Sequence, residues 1–409
     1  MKKKFRALLA LAVVTGATIW LAGCGHPYCH SGLGASTCGS GGNGSVSQGG
    51  GTSLQTVLVY FLNDPNANMT ADALDFNGST TFGQIPGFQG PTLDQGMGTY
   101  ARDGGIGIVH KQFLYIPYSD GNLFGFSIDP TSAALTPIIG TPLALGLPPA
   151  TVSPLALDPA GNFIFVGDSA GIFVFGVDPS SGALTPVFGS PFAVAGLQPT
   201  SLTTDGLGRY LYATDGVQVS QFSYDSATGV LTSLGTLTSP MNLLVSEPSG
   251  QYMLGSTVQN GQNGTLDNNV YAFTISSSAN PGSLTAVNTT GFPTGEPVAW
   301  MAVTPDGKFL YTFNENIQNL QQPMEEAIQG FTLASLPSSL TPITGSPFTT
   351  FQSKFGLIDQ SGTYMIVNGE ESNAPVAGTF PIVIGSDGTL SSTFSSTLSA
   401  GSFGITDEP

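Results

Sequence analysis

Short runs of apolar and aromatic residues, each about four to eight residues long, follow one another from residue 55 to the end of the chain. Within them apolar and small polar residues alternate with a period of two, and Gly, Pro, Asp, Asn and Ser separate one run from the next. This pattern is typical of β-strands joined by tight turns, and it shows almost no helical periodicity. The sequence therefore predicts an all-β domain over residues 55–409.

The runs repeat with a period of 42 to 57 residues. Each period contains four predicted strands, a to d, with an Asp/Pro/Gly turn between a and b and an aromatic run in b. The aromatic runs are LVY at 58, FLY at 113, FIF at 163, YLY at 210, YML at 252, FLY at 309 and YMI at 364. Seven four-stranded units of this length predict a seven-bladed β-propeller.

The two ends of the domain are complementary. The first unit has no strand a before Gln55, whereas the final SFGITDEP resembles a strand a with nothing after it. We therefore expect residues 402–408 to complete blade 1 beside the segment around Tyr60, because an open edge would leave unpaired backbone groups. An array of β-sandwiches is the alternative, but it explains neither the seven repeats nor the complementary ends of the domain.

The first 23 residues have the composition of a secretory signal peptide: a basic start, a short apolar run and the small residues of Leu-Ala-Gly before Cys24. Leu21 to Cys24 resemble a bacterial lipobox, which implies a lipid on Cys24, a membrane anchor and a cell-envelope location, the outer membrane in a Gram-negative host. An ordinary signal peptide is the alternative. Residues 24–54 form a Gly/Ser-rich flexible tether.

Two further cysteines lie in this tether. Cys29 and Cys38 would meet an oxidising compartment, so a short-loop disulfide is expected. Metal binding together with His26 and His30 is the alternative, although a flexible loop holds ligands poorly. We predict neither a metal site nor a cofactor.

The charge is strongly acidic. The chain has 26 acidic and 9 basic residues, and four of the basic residues lie in the predicted signal peptide. Such a surface repels nucleic acids and anionic headgroups, so a neutral or cationic partner is expected.

The pattern D-P-x-G-x-F-x-F-V, followed by V-D-P-x-x-G-x-L-T-P-x-x-G-S-P-F, covers residues 55–409 as a repeat. It resembles the seven-bladed lactonase and YVTN-repeat propellers, which include the 6-phosphogluconolactonase-like and cytochrome d1-like folds. The resemblance implies a lactone hydrolase with its site at one mouth of the central channel, where the d-to-a and b-to-c connections lie. Such an enzyme would place His and Arg at that mouth.

Those groups are largely missing. His110 is the only histidine of the propeller, and it falls in an a-to-b turn on the opposite rim. Arg209 and Lys308 fall in equivalent turns, where we expect solvated turn residues. Only Arg102 and Lys354 fall on d-to-a segments. The b-to-c positions carry Asn63-Asp64, Asp120, Asp168, Asp215, Thr257, Asn314-Glu315 and Glu370.

The acidic b-to-c positions allow two interpretations. Asp and Asn favour tight turns because they accept hydrogen bonds from their own backbone. Alternatively, a ring of acids binds a cation or sugar hydroxyls at the mouth. The candidate mouth residues are Asp64, Arg102, Asp120, Asp168, Asp215, Glu315, Lys354 and Glu370.

These observations favour a monomeric, lipid-anchored propeller that binds an envelope protein or glycan without catalysis. The alternative is a hydrolase of a neutral lactone or cyclic ester, in which a mouth carboxylate activates water and Arg102 stabilises the oxyanion. Cofactor binding in the channel, as in haem d1 propellers, lacks an axial histidine on that face. Whether the protein is an enzyme is left open by the sequence.

Overall fold

A computed structural model of the chain describes residues 107–110, 112–118, 121–129, 134–145, 154–257, 267–314, 327–371 and 374–391, and the backbone of four strands before residue 107. Cys24, Cys29 and Cys38 lie outside the described residues, as does the tether. Within these ranges no helix is long and apolar enough to cross a bilayer.

The described strands pair antiparallel within each of six sheets. Sheet 1 contains β1 (Leu11–Gly16), β2 (Thr56–Asn63), β3 (Asn68–Asp75) and β4 (Thr81–Gln84). Sheet 2 contains β5 (Gly107–Val109), β6 (Phe113–Pro117), β7 (Asn122–Ile128), β8 (Leu135–Pro137) and β9 (Leu143–Ala144). Sheet 3 contains β10 (Leu155–Leu157), β11 (Phe163–Asp168), β12 (Gly171–Val177) and β13 (Leu184–Pro186).

The second half of the chain continues the pattern. Sheet 4 contains β14 (Ser201–Thr204), β15 (Tyr210–Thr214), β16 (Gln218–Tyr224) and β17 (Leu231–Thr238). Sheet 5 contains β18 (Leu243–Ser246), β19 (Tyr252–Ser256), β20 (Asn269–Ile275), β21 (Leu284–Ala286) and β22 (Phe292–Pro293). Sheet 6 contains β23 (Trp300–Val303), β24 (Phe309–Phe313), β25 (Ala327–Thr332), β26 (Thr341–Pro342), β27 (Phe348–Ile358), β28 (Tyr364–Glu371), β29 (Ala374–Ile384) and β30 (Leu390–Ser391).

The first strands of successive units contact one another in chain order: β1 with β5, then β10, β14, β18, β23 and β27. Each sheet therefore radiates outward from a shared inner layer, with its later strands toward the periphery. The apolar clusters lie between neighbouring sheets; one of them combines Phe165 of sheet 3 with Leu211 and Phe222 of sheet 4. This arrangement is a β-propeller of four-stranded antiparallel blades, as the sequence predicted.

The a-to-b turns owe their shape to one buried acid or hydroxyl at their first position. Asp205 accepts hydrogen bonds from the backbone amides of Arg209, at 2.6 Å, and Tyr210, at 2.8 Å. Asp359 does the same for the amides of Thr363 and Tyr364. The recurring acid-x-x-Gly motif therefore stabilises a turn. Its acidic side chain accepts hydrogen bonds from backbone amides that have no partner in the neighbouring strand.

Three tyrosines of strand b each connect their own unit to the c-to-d turn of the next one. The Tyr212 hydroxyl donates to the Gly282 carbonyl oxygen at 2.8 Å, and the Tyr311 hydroxyl donates to that of Gly388 at 2.7 Å. Tyr115 makes the equivalent bond to Gly182. The aromatic runs and the glycines of the c-to-d turns thus form one repeated contact between neighbouring units.

The number of sheets differs from the prediction. Seven separate blades were expected, but the described strands form six sheets, because β25 pairs with β27 at Ala327–Gln352 and Ile328–Phe348. That pairing joins the last two sequence repeats into one eight-stranded sheet. A count of sequence repeats does not determine whether adjacent repeats share backbone hydrogen bonds, so it does not fix the number of sheets.

The strand that completes sheet 1 also differs from the prediction. Tyr60 of β2 lies opposite Ala12 of β1 on one side and opposite Ala71 of β3 on the other. Both edges of β2 are therefore occupied, so the expected pairing of residues 402–408 with β2 is wrong for this structure; residues 402–408 lie outside the described residues. The apolar, β-branched run of β1 supplies the same backbone hydrogen bonds as the expected closing strand.

Candidate functional site

A central cavity of about 510 Å³ lies where the inner strands meet. Its walls come from β10, β14, β18 and β23 and from the end of β27. A volume of this size falls within the range of small-molecule sites, which is roughly 300–1,000 Å³. The inner strands contribute alternate side chains to it, so its lining is determined by the period-two pattern of each strand.

One end of this cavity lies toward the d-to-a connections, and we call it the d-to-a end. Thr200 and Asn242 line it where β14 and β18 begin. The Thr200 hydroxyl lies 3.1 Å from the carbonyl oxygens of both Thr214 and Asn242, and the backbone N–H of Asn242 donates to the Ser256 carbonyl oxygen at 2.9 Å. These bonds fix the d-to-a end against the ends of the neighbouring b strands.

The opposite end of the cavity is lined by prolines of the a-to-b turns, Pro159, Pro248 and Pro305. Between the two ends, Leu155, Leu243 and other aliphatic residues form the wall. Polar side chains line both ends of the cavity: Thr200, Ser201 and Asn242 lie toward the d-to-a connections, and Thr203, Thr204, Asp205 and Ser246 lie toward the a-to-b turns.

The described lining carries one titratable side chain, Asp205. Its carboxylate is fully buried and pairs with the Arg209 guanidinium at 2.8 Å in addition to capping its own turn. Both carboxylate oxygens of Asp205 thus accept hydrogen bonds from groups of the a-to-b turn. Within the described part of the wall, no ionised group is left to attract a charged ligand.

Trp300 is the largest aromatic residue of the lining. It opens β23 beside Ala299, at the d-to-a end of the cavity, and it is only partly buried. Its indole Nε1 donates to the Gly356 carbonyl oxygen of β27 at 3.0 Å. That bond holds the indole across the junction of two inner strands, and the rest of the ring packs on the apolar cluster of sheet 6.

Two of the predicted mouth acids have described side chains, and both behave as turn residues. Asp168 is 1% exposed, and its Oδ1 accepts from the Ser169 hydroxyl at 2.7 Å and the Ala170 amide at 3.2 Å. The Oδ1 of Asp215 accepts from the amides of Val217 and Gln218. Neither residue lines the cavity. Both residues therefore make hydrogen bonds typical of turns, and the Oδ2 of Asp168 is in addition buried without a hydrogen-bond partner.

The remaining candidates stay predictions. Asp64, Arg102, Asp120 and Glu315 lie outside the described residues. Lys354 and Glu370 are described only as backbone, in β27 and β28. Lys354 was expected in a connection, but it is the extra residue of a β-bulge, since the register passes from Ser353 directly to Phe355.

The basic residues of the a-to-b turns lie on the rim expected for them. His110 is exposed, has a left-handed φ of 53°, and lies against the turn glycine Gly161 of the next sheet. Arg209 differs from the prediction of a solvated residue. Besides its ion pair with Asp205, it donates to the Gly250 carbonyl oxygen at 2.9 Å and lies over the Tyr210 ring.

A second group of polar side chains lies buried between sheet 5 and sheet 6. The Ser256 hydroxyl, the Thr312 hydroxyl and both amide atoms of Asn314 have no hydrogen-bond partner. Ser256 lies on the face of β19 that carries Leu254, and Thr312 and Asn314 lie on the face of β24 that carries Leu310. Leu254 and Leu310 share one apolar cluster, so all three polar residues face the same interface.

The b-to-c region of sheet 5 contains one acid network. Asp267 accepts from the Thr257 hydroxyl at 3.2 Å and from the Tyr271 hydroxyl. Burial, together with the bond and charge of Asp267, raises the pKa of Tyr271 to about 12. Among the described residues, no group of three or more His, Cys, Asp or Glu side chains could hold a metal ion.

Sequence reasoning missed Trp300, Thr200 and Asn242. The predicted site consists of ionisable groups in the connections, whereas the lining of the described cavity comes mainly from uncharged residues of strand a. One signal was available, because Trp300 is the only tryptophan outside the predicted signal peptide.

The fold recurs in solved structures of low sequence identity. A Lactobacillus plantarum protein has a TM-score of 0.60 at 16% identity, with 86% of this chain and 98% of that chain covered. A Bacteroides uniformis protein, provisionally named a 6-phosphogluconolactonase, has a TM-score of 0.56 at 17% identity, covering 83% of this chain and 94% of that one.

A third similar structure is a periplasmic gluconolactonase of Pseudomonas aeruginosa, with a TM-score of 0.55 at 15% identity over 82% of this chain and 93% of that chain. At these identities the likeness shows the fold alone. No protein-family model matches the chain. No curated protein matches it either.

Proposed function

We propose that this propeller binds an uncharged cyclic ester in its central cavity and hydrolyses it, as a lactonase-like enzyme. The observation that carries the proposal is the cavity itself: it measures about 510 Å³, the one ionisable group of its described lining, Asp205, is paired with Arg209, and Thr200 and Asn242 line its end toward the d-to-a connections. The names of two structural neighbours, a gluconolactonase and a provisional 6-phosphogluconolactonase, point to the same class of substrate. This interpretation was the alternative in the sequence analysis.

The neutral lining favours a neutral substrate. A phosphorylated sugar lactone would need cations to replace the water around its phosphate. The only cation near the described wall, Arg209, is already paired with Asp205 and bonded to Gly250. An uncharged lactone requires only hydrogen bonds, which the d-to-a end around Thr200 and Asn242 can supply.

The catalytic groups in this proposal come from the predicted mouth. A mouth carboxylate, with Asp64, Asp120, Glu315 and Glu370 as candidates, acts as general base on water. Arg102 stabilises the oxyanion that develops on the ester carbonyl oxygen, with Lys354 as a second candidate cation. The water oxygen bonds to the carbonyl carbon, the ring C–O bond breaks, and the proton passes to the leaving oxygen.

The test is turnover of a panel of neutral lactones by the full chain. We expect Arg102→Ala to lower kcat by about 100-fold, a typical loss for one oxyanion donor. Lys308→Ala is the matched control, because Lys308 pairs with Asp306 on the exposed a-to-b rim. Absence of turnover across the panel, or wild-type kcat in Arg102→Ala, would reject the hydrolase proposal.

A second candidate is the non-catalytic binding of an envelope protein or glycan. Ile139 and Phe188 favour it, because they are 95% and 92% exposed at equivalent turns of neighbouring sheets. Single exposed apolar residues are common, but two at one repeated position are suited to a partner surface. Loss of a partner in Ile139→Ser/Phe188→Ser, without loss of lactone turnover, would separate the two candidates.

In both candidates Cys24 carries the lipid that anchors the chain in the cell envelope. Cleavage before Cys24 would remove β1 from the mature chain and leave one edge of β2 without the partner that it has in this structure. Cys24→Ser should move the protein from the membrane fraction to the soluble fraction. Retention of Cys24→Ser in the membrane fraction would contradict the anchor.

A further inference from the structure

Trp300 occupies a position in the cavity that packing alone does not explain. The residues at the equivalent register in sheets 3, 4 and 5 are Pro154, Ser201 and Leu243, each smaller than tryptophan. Trp300 projects a larger, flat surface into the same ring of side chains. A hydrogen bond from its Nε1 to Gly356 fixes the orientation of that surface.

We infer that Trp300 is the stacking platform for the ring of an uncharged ligand, with Thr200 and Asn242 as hydrogen-bonding groups for the ring substituents. The inference rests on the proposed function in taking the cavity as the ligand site. An indole face attracts the apolar C–H face of a saturated polar ring. The Thr200 oxygen, whose proton is directed at backbone carbonyl oxygens, can accept a hydrogen bond, and an Asn side chain both donates and accepts. The ligand class is therefore a small polyhydroxylated ring compound.

Charged ligands fit this site less well. An aromatic face also attracts cations, but a cationic ligand gains most where a carboxylate completes the site. The only carboxylate of the described lining belongs to Asp205, which is fully buried and paired with Arg209. No described lining residue offers a cation to an anionic ligand. An uncharged ring compound is therefore the class of ligand that suits the described lining residues best.

The chain makes this inference directly measurable, since its two tryptophans are Trp20 and Trp300. In the full chain carrying Trp20→Phe, the indole fluorescence comes from Trp300 alone. The probe is D-glucono-δ-lactam, a neutral ring that resists hydrolysis. We expect it to shift Trp300 emission saturably, whereas 6-phosphogluconate and choline should leave the emission unchanged at equal concentration.

Calorimetric titration with the lactam then tests how much the Trp300 indole contributes to the binding affinity. We expect Trp300→Leu to weaken the Kd by about tenfold and Trp300→Phe to weaken it less, since stacking contributes about 0.5–1.5 kcal/mol beyond apolar burial. Leu243→Ala, a lining change beside the platform, is the matched control and should weaken binding less than Trp300→Leu. Thermal unfolding of each variant checks that the fold is retained.

The outcomes separate this inference from the hydrolase proposal. Lactam binding that depends on Trp300, without turnover of any lactone, supports the platform and rejects the enzyme. Lactone turnover with an unchanged KM in Trp300→Leu supports the enzyme and rejects the platform. Absence of lactam binding to the wild-type chain, or binding with unchanged Trp300 emission and equal Kd in Trp300→Leu, overturns the inference.

Discussion

Arg209 and Lys308 occupy the same position of the repeat, but their side chains have different surroundings. Arg209 and Lys308 each precede the aromatic run of strand b. Arg209 pairs with a fully buried carboxylate and bonds the turn of the next sheet. Lys308 pairs with Asp306 while 67% of its side chain is exposed. The first cation compensates a buried charge, and the second is surrounded by solvent.

We therefore expect unequal stability losses. Arg209→Ala should lower the free energy of unfolding by about 2–3 kcal/mol, because it leaves the buried Asp205 carboxylate without its cation. Lys308→Ala should cost less than about 0.5 kcal/mol, as is usual for exposed pairs. Urea unfolding of the two variants measures the difference. Equal losses would show that Asp205 does not depend on its partner.

At the scale of elements, the glycines of the c-to-d turns allow adjacent sheets to approach each other. Gly182 has a φ of 70°, and a Cβ there would lie 2.5 Å from the Phe113 ring of sheet 2. Gly140 also has a left-handed φ, 90°, yet its Cβ would meet nothing within 4 Å. The two glycines share a backbone requirement, but only Gly182 lies in the contact between sheets.

This difference allows packing to be separated from backbone strain. Gly140→Ala should cost about 1 kcal/mol, the usual penalty of a left-handed non-glycine residue. Gly182→Ala should cost a further 1–3 kcal/mol or so, since the methyl group overpacks the interface. Denaturant midpoints of both variants test the prediction. A loss in Gly182→Ala no larger than in Gly140→Ala would contradict a close contact between sheets 2 and 3.

For the whole molecule, the buried tyrosines between units link the fold to pH. Burial raises the pKa values of Tyr115, Tyr212, Tyr224 and Tyr311 above the ordinary value of 10.0, and a bond to Asp158 adds to the effect at Tyr224. These hydroxyls stay protonated in the folded state at a pH where the unfolded chain ionises. Their contribution is complete below about pH 10 and is lost as the pH rises above it.

We expect the free energy of unfolding to fall steeply above pH 10, with several tyrosines ionising as the chain unfolds. Tyr212→Phe should make the fall less steep, because one fewer hydroxyl ionises on unfolding. Urea unfolding at a series of alkaline pH values, followed by phenolate absorbance, measures both. A free energy that stays constant to pH 11 would mean that these hydroxyls are not buried between the sheets.

The site was harder to predict than the fold. The acids of the a-to-b turns indicate local hydrogen bonding, and the aromatic runs show the alternation of strands. Turns, strands and four-stranded units could therefore be assigned from the sequence. Trp300, Thr200 and Asn242 come from three different units and share no local motif. Their proximity depends on the radial arrangement of inner strands, which no single stretch of sequence encodes.

The sequence by itself determined the all-β class, the repeat, the turn chemistry and the acidic charge, because each depends on neighbours within a few residues. Only the tertiary structure decided which strand pairs with β2, whether the last two repeats share a sheet, and which side chains line the cavity. Backbone hydrogen bonds between strands are nearly indifferent to side-chain identity, so competing partners such as residues 11–16 and 402–408 can be separated only by three-dimensional packing.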